Sequence, residues 1–141
     1  MILPDVNVLL YAFRRDSRDH EAYRGWLESV VNGEMAYGMS PQVLGGVIRV
    51  ATHPRIFQRP SRLSDAMAFV AVLLEQPHCQ TIHPGYRHWT IFQELLRRTD
   101  AAGNLVQDAW FAALAIEAGC EWISTDRDFA RFEGLHWRAP L

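Results

Sequence analysis

Two short apolar runs end on an aspartate: Ile2-Leu3-Pro4-Asp5 and Trp122-Ile123-Ser124-Thr125-Asp126. Two residues beyond each aspartate stand Asn7 and Asp128. A third carboxylate, Asp108, falls in the first turn of a helix expected to open at Asn104. Carboxylates gathered in one place repel one another and lose hydration, so such a cluster calls for a cation. An all-oxygen set of this kind suits Mg²⁺ or Mn²⁺ better than zinc. Each residue also has a structural reading. Asp5 and Asp126 can be helix N-caps, and Asp108 can complement a helix dipole. Spacing does not show whether the three meet in space.

The elements that would bring them together alternate. Met1–Leu3 reads as a short strand ended by Pro4, which cannot donate to a sheet ladder. Val6–Phe13 reads as a short helix, and Asp16 or Ser17 as the cap of a second one running to Val31. Met35–Tyr37 is a strand. Ser40 caps a third helix with Pro41 at its first position, ending near Thr52 before His53-Pro54. A helix over Leu63–Glu75, a strand over Gln80–His83 and a helix over Arg87–Arg98 follow. Asn104 and Gln107 resemble a capping box for a helix reaching Glu117, stopped by Gly119. Trp122–Ser124, a short helix over Arg127–Phe132 and a strand over His136–Arg138 close the chain. Strands alternating with helices predict a parallel sheet covered on both faces, with any site beyond the carboxyl ends of its strands.

The chain has 141 residues, 49% hydrophobic and 21% charged, which predicts one globular domain over 1–141 and excludes disorder. All 14 basic residues are arginine. Without lysine there is no P-loop and no Schiff-base chemistry, and no lysine-dependent aspartyl phosphatase or receiver domain. The longest apolar runs, Val8–Phe13 and Ala66–Leu74, fall short of the roughly 18–20 residues a membrane span needs. No secretory leader is evident, and Cys79 and Cys120 form no disulfide framework, so a reduced, cytoplasmic location is expected.

Arg49, Arg55, Arg59 and Arg62, with His53 and Phe57, occupy a stretch that has no acidic residue between Glu34 and Asp65. It suits phosphate contacts and base stacking, or simply a solvated loop. His78, His83 and His88 are five apart, a spacing that does not put them on one helix face.

In order and spacing, these segments resemble the PIN-domain ribonucleases of the VapC type, toxins of bacterial toxin–antitoxin pairs. Ile2-Leu3-Pro4-Asp5-Val6-Asn7-Val8-Leu9-Leu10 is similar to the family's first acidic motif. Gly103-Asn104-Leu105-Val106-Gln107-Asp108-Ala109 with Ala112-Ala113-Leu114-Ala115 is similar to the third, and Ser124-Thr125-Asp126-Arg127-Asp128-Phe129 to the fourth. Ser40-Pro41, Arg49-Val50 and His53-Pro54-Arg55-Ile56-Phe57 resemble the segment around the second.

The resemblance implies a three-layer α/β/α sandwich with a mostly parallel central sheet. It also implies Mg²⁺- or Mn²⁺-dependent hydrolysis of RNA, a small antitoxin partner and a homodimer. By residue, it makes Asp5, Asp108 and Asp126 metal ligands and Asp128 a supporting one. Asn7 would orient Asp5 or a water, and Thr125 would hold a neighbouring carboxylate. The family's second motif usually carries a glutamate three residues before the arginine. Here Gly46 stands in that place. The expectation is therefore a weakened site or, alternatively, an impaired domain that binds RNA or antitoxin without cleaving.

Overall fold

The computed structural model describes Met1–Leu141. Its strands are β1 (Ile2–Pro4), β2 (Tyr37–Met39), β3 (Cys79–Thr81), β4 (Glu121–Ile123) and β5 (Trp137–Arg138). Its helices are α1 (Val6–Phe13), α2 (His20–Val31), α3 (Pro41–Ala51), α4 (Leu63–Glu75), α5 (His88–Thr99) and α6 (Asn104–Ala118), with a 3₁₀ helix over Arg127–Arg131. Every strand pair is parallel. One ladder runs β1–β4–β5 and the other pairs β2 with β3. β2 lies beside β1, close enough that a Cβ on Gly38 would stand 3.3 Å from the Ile2 carbonyl oxygen. Helices α2, α1, α3 and α4 pack in succession, and α5 packs on α6, which in turn touches β4. The result is the expected α/β sandwich.

The core explains why the strands can be so short. Leu3, Tyr37, Met39, Trp122 and Ile123 are all but inaccessible. Helix α6 is nearly buried all round, from Ala109 through Ala115, because the sheet, α5 and the 3₁₀ helix enclose it. The Phe111 and Trp122 rings stack there at 5.3 Å. His88 is a core residue, with its Nε2 3.0 Å from the Trp110 carbonyl oxygen.

Four local expectations are corrected. Pro4 is the last residue of β1, paired opposite Ile123, rather than the first residue after the strand. The Met1 carbonyl and the Asp5 N–H both bond to β4, so Pro4, out of phase with them, turns its missing donor away from that ladder. Asp16 and Ser17 do not cap α2. Arg14 takes the Asp16 carboxylate, and Asp19, in the left-handed region at φ 57°, precedes the helix. Asn104 does not cap α6. The cap position is Gly103, at φ 60° and ψ −130°, a conformation open to glycine, and Asn104 is the first helical residue. β2 lies two residues later than expected because Met35 is exposed and Tyr37–Met39 is the fully buried run.

Candidate active site

Three elements deliver carboxylates to one place. β1 hands the chain to α1 at Asp5, β4 hands it to the 3₁₀ helix at Asp126 and Asp128, and the first turns of α6 present Asp108. The carboxylates of Asp108, Asp126 and Asp128 each place an oxygen within 4.8 Å of the others. Asp5 lies behind this trio, 7% exposed and outside it. It accepts from the Val6 N–H at 2.7 Å and from the Ser124 hydroxyl at 2.6 Å. The Ser124 Oγ in turn accepts the Asp126 N–H at 3.0 Å. One buried hydroxyl therefore links the ends of two adjacent strands. Asp126 also accepts from the Asp128 N–H at 2.9 Å. The structural and chemical readings of Asp5 and Asp126 are thus not exclusive, because each caps an element with part of a carboxylate that also belongs to the site.

The electrostatics are those of a site short of positive charge. Burial first, then the Asp126, Asp5 and Asp128 carboxylates, push the Asp108 carboxyl from 3.8 up to about 6. Burial also raises Asp5, against the lowering effect of its Ser124 and Val6 hydrogen bonds. A donor set of carboxylate oxygens alone, mutually repelling and partly open to solvent, fits a hard divalent cation.

The trio opens into a cleft of about 650 Å³. One wall is α6, through Asn104, Gln107 and Asp108, and the other is α3, through Gln42, Gly45, Gly46 and Arg49. Gly46 lines the same cleft as these carboxylates. A Cβ there would stand 3.0 Å from Val6 Cγ2, so α3 approaches the start of α1 closely at this point. A separate cavity of about 410 Å³ between α1, α2 and α4 mixes apolar side chains with Arg15, His20, Arg24 and Glu28 and holds none of these carboxylates.

The remaining candidate residues divide. Arg49 lines the cleft. Arg55, Arg59 and Arg62 are exposed on the loop beyond α3, with no ion-pair partner. Asn7 lies on the cleft wall but does not bond to Asp5, whose two oxygens are taken by Ser124 and Val6. Thr125 makes none of the site's hydrogen bonds. Ser124, its buried neighbour, makes them. The sequence signal for Ser124 was its place two residues before Asp126 at the end of a buried strand. Arg14 was also missed. Only 7% exposed, it grips Asp16 with two nitrogens (3.0 and 2.7 Å) and donates to Ser61 Oγ (3.0 Å) and the Arg59 carbonyl (3.1 Å). Its guanidinium lies 3.6 Å from the centroid of the Phe57 ring. One face of Phe57, read from sequence as a base-stacking candidate, is therefore already covered.

A parallel sheet with carboxylates at the strand ends and an acidic cleft beside α6 defines the class. The chain belongs to the PIN-domain family, whose model matches residues 2–135. Its similar proteins are VapC members. It is 46% identical over 141 residues to ribonuclease VapC43 of Mycobacterium tuberculosis, covering 100% of this chain and 96% of that protein. It is 39% identical over 142 residues to ribonuclease VapC25 of the same organism, covering 100% of both. Two solved structures share the fold. Rickettsia felis VapBC2, bound to a DNA fragment from its promoter, superposes with a TM-score of 0.71 at 17% identity over 99% of this chain and 98% of that one. M. tuberculosis VapC20, described as a sarcin–ricin loop cleaving toxin, gives 0.65 at 16% identity over 96% and 99%.

Proposed function

We propose that this protein is a divalent-metal-dependent endoribonuclease, the toxin of a toxin–antitoxin pair, working in the cytoplasm. The observation that carries the reading is the meeting of Asp108, Asp126 and Asp128 within 4.8 Å in a cleft whose opposite wall bears Arg49. Mg²⁺ or Mn²⁺ would be held by Asp108, Asp126 and Asp128, with Asp5 completing the set from the end of β1. When bound, the cation supplies a more acidic water and charge neutralisation at the scissile phosphate. The chain supplies placement. Ser124 holds Asp5 and the Asp126 backbone in one register. Arg49 meets a phosphate from across the cleft, and Arg55, Arg59 and Arg62 extend the cationic path along single-stranded RNA. The proposed partners are a cognate small antitoxin and a second copy of this chain.

Isothermal calorimetry with Mn²⁺ and a gel-based cleavage assay on RNA test this reading. Asp126→Asn should weaken cation binding and abolish cleavage. Unchanged binding and cleavage in that variant would reject the site. A second reading rests on Gly46, which faces the cleft without a carboxylate. On that reading the domain binds RNA or antitoxin but does not cut. RNA binding with no cleavage at any Mg²⁺ or Mn²⁺ concentration would favour it.

A further inference from the structure

Residues 52–62 connect α3 to α4, and the ends of this loop are tied: the Ser61 N–H donates to the Ala51 carbonyl at 2.8 Å. Helices α3 and α4 also pack directly on one another. The helix pair therefore does not need the inside of the loop to be fixed, yet it is fixed. Phe57 rests on a small apolar cluster of its own, centred on Leu10, Ala51 and Ala66. Arg14, the residue that ends α1, lies over the Phe57 ring at 3.6 Å and donates to the Arg59 carbonyl and the Ser61 hydroxyl. A buried guanidinium is costly unless it is paired and hydrogen-bonded. Asp16 supplies the pair, so Arg14 adds grip to the loop without adding net charge.

The grip falls where the loop's cations are. The Arg55 N–H donates to His53 Nδ1 at 3.1 Å, and the Arg59 carbonyl accepts from Arg14. The Arg62 carbonyl accepts the Asp65 and Ala66 N–H groups that open α4. Each of the three arginines thus combines a held backbone with an exposed side chain that makes no ion pair. Cationic heads on a backbone already in place bind a string of phosphates with less ordering left to do. We propose that Arg14 is a positioning residue for RNA binding, an inference that rests on the reading of this protein as a ribonuclease. Arg14 does not touch the RNA. Anchored on Asp16, it fixes the loop so that Arg55, Arg59 and Arg62 form a preset group of phosphate contacts.

The experiment is a mutant cycle on the full chain, read by fluorescence anisotropy of a single-stranded RNA in EDTA, where cleavage does not interfere. Arg14→Met keeps a long stem without donors, and Asp16, 62% exposed, is left in water rather than buried alone. It should weaken RNA binding about tenfold, since refixing even one backbone residue on binding costs roughly fivefold. Arg14→Lys keeps the charge but not the planar fork and should behave like the methionine variant. Replacing Arg55, Arg59 and Arg62 by alanine should then cost far less in the Arg14→Met chain than in the wild type, because both changes remove the same preset contacts. A role confined to stability would lower the melting temperature and leave the two losses additive. Ser61→Ala removes one hold on the loop and spares the Arg14–Asp16 pair, so the same cycle can be run if Arg14→Met does not fold, with a smaller loss in the same direction. With Mn²⁺ and long RNA, the loss should appear in KM rather than in kcat. Additive losses, wild-type binding by Arg14→Lys, or a fall in kcat at unchanged KM overturns the role of Arg14 and leaves the nuclease reading standing. A wild type that neither binds nor cleaves RNA overturns both.

Discussion

The Ser124 hydroxyl donates to Asp5 at 2.6 Å while accepting the Asp126 N–H at 3.0 Å, so the ends of β1 and β4 share one buried oxygen. In Ser124→Ala, Asp5 keeps the Val6 N–H but loses its other partner. A hydrogen bond to a buried carboxylate contributes about 1.5–3 kcal/mol. The variant should therefore melt at a lower temperature and bind Mn²⁺ more weakly, and Ser124→Thr should recover part of both. Differential scanning calorimetry with Mn²⁺ titration checks this, and full stability in the alanine variant would show the bridge to be idle.

Asp108 predicts two opposite pH dependences. Its carboxyl stands at about 6 in the folded chain against an ordinary 3.8. The folded state holds that proton more tightly than the unfolded one, so the contribution is stabilising at low pH. It is lost as pH rises through about 6. Cation binding needs the ionised form and should strengthen over the same interval. In EDTA, melting curves of wild type and Asp108→Asn should diverge as pH rises from about 4 to 7, the wild type losing ground. Parallel curves would place the shared charge elsewhere.

RNA affinity should depend on Arg55, Arg59 and Arg62 more than on Arg97 and Arg98. The first three make no ion pair, whereas Arg97 and Arg98 pair with Glu94, and Arg98 also with Glu133. Replacing the first three by alanine should lower the slope of log affinity against log salt by about 2, at about 0.7 per phosphate contact. Equal slopes for this variant and wild type, measured by fluorescence anisotropy, would refute the assignment.

Gly46→Glu should bind Mn²⁺ more tightly than Gly46→Gln. Both variants remove a helical glycine, worth about 1 kcal/mol, and both must displace the Val6 methyl that lies 3.0 Å from a new Cβ. Only the glutamate adds charge. Identical affinities would mean that a side chain at 46 cannot reach the carboxylates once Val6 has moved.

Much of this could be read from the chain because local and long-range signals agreed. The Pro41 start of α3 and the uninterrupted apolar run of α4 each have one plain interpretation, and the fold uses it. The misread caps share a cause: another side chain or the backbone takes the place of the expected cap. Asp16 looked like a cap until Arg14 claimed it, and Arg14 is itself held by Ser61 and Phe57, far along the chain. Thr125 and Ser124 are equivalent in sequence. Only strand alternation decides which hydroxyl turns inward to Asp5. The trio of Asp108, Asp126 and Asp128 depends on where α6 starts, and that start is set by the backbone of Gly103 rather than by a side-chain cap.

Helix α1 begins beside Asp5 and ends just before Arg14, which holds the Arg59 carbonyl, the Ser61 hydroxyl and the Phe57 ring. Eight helical residues make a stiff rod of about 12 Å. The arginine loop is thus spaced from the carboxylates by a ruler, not by its own contour. Lengthening that loop would leave the interval between scissile bond and anchoring phosphates unchanged, whereas adding one turn to α1 would move the cut along the strand.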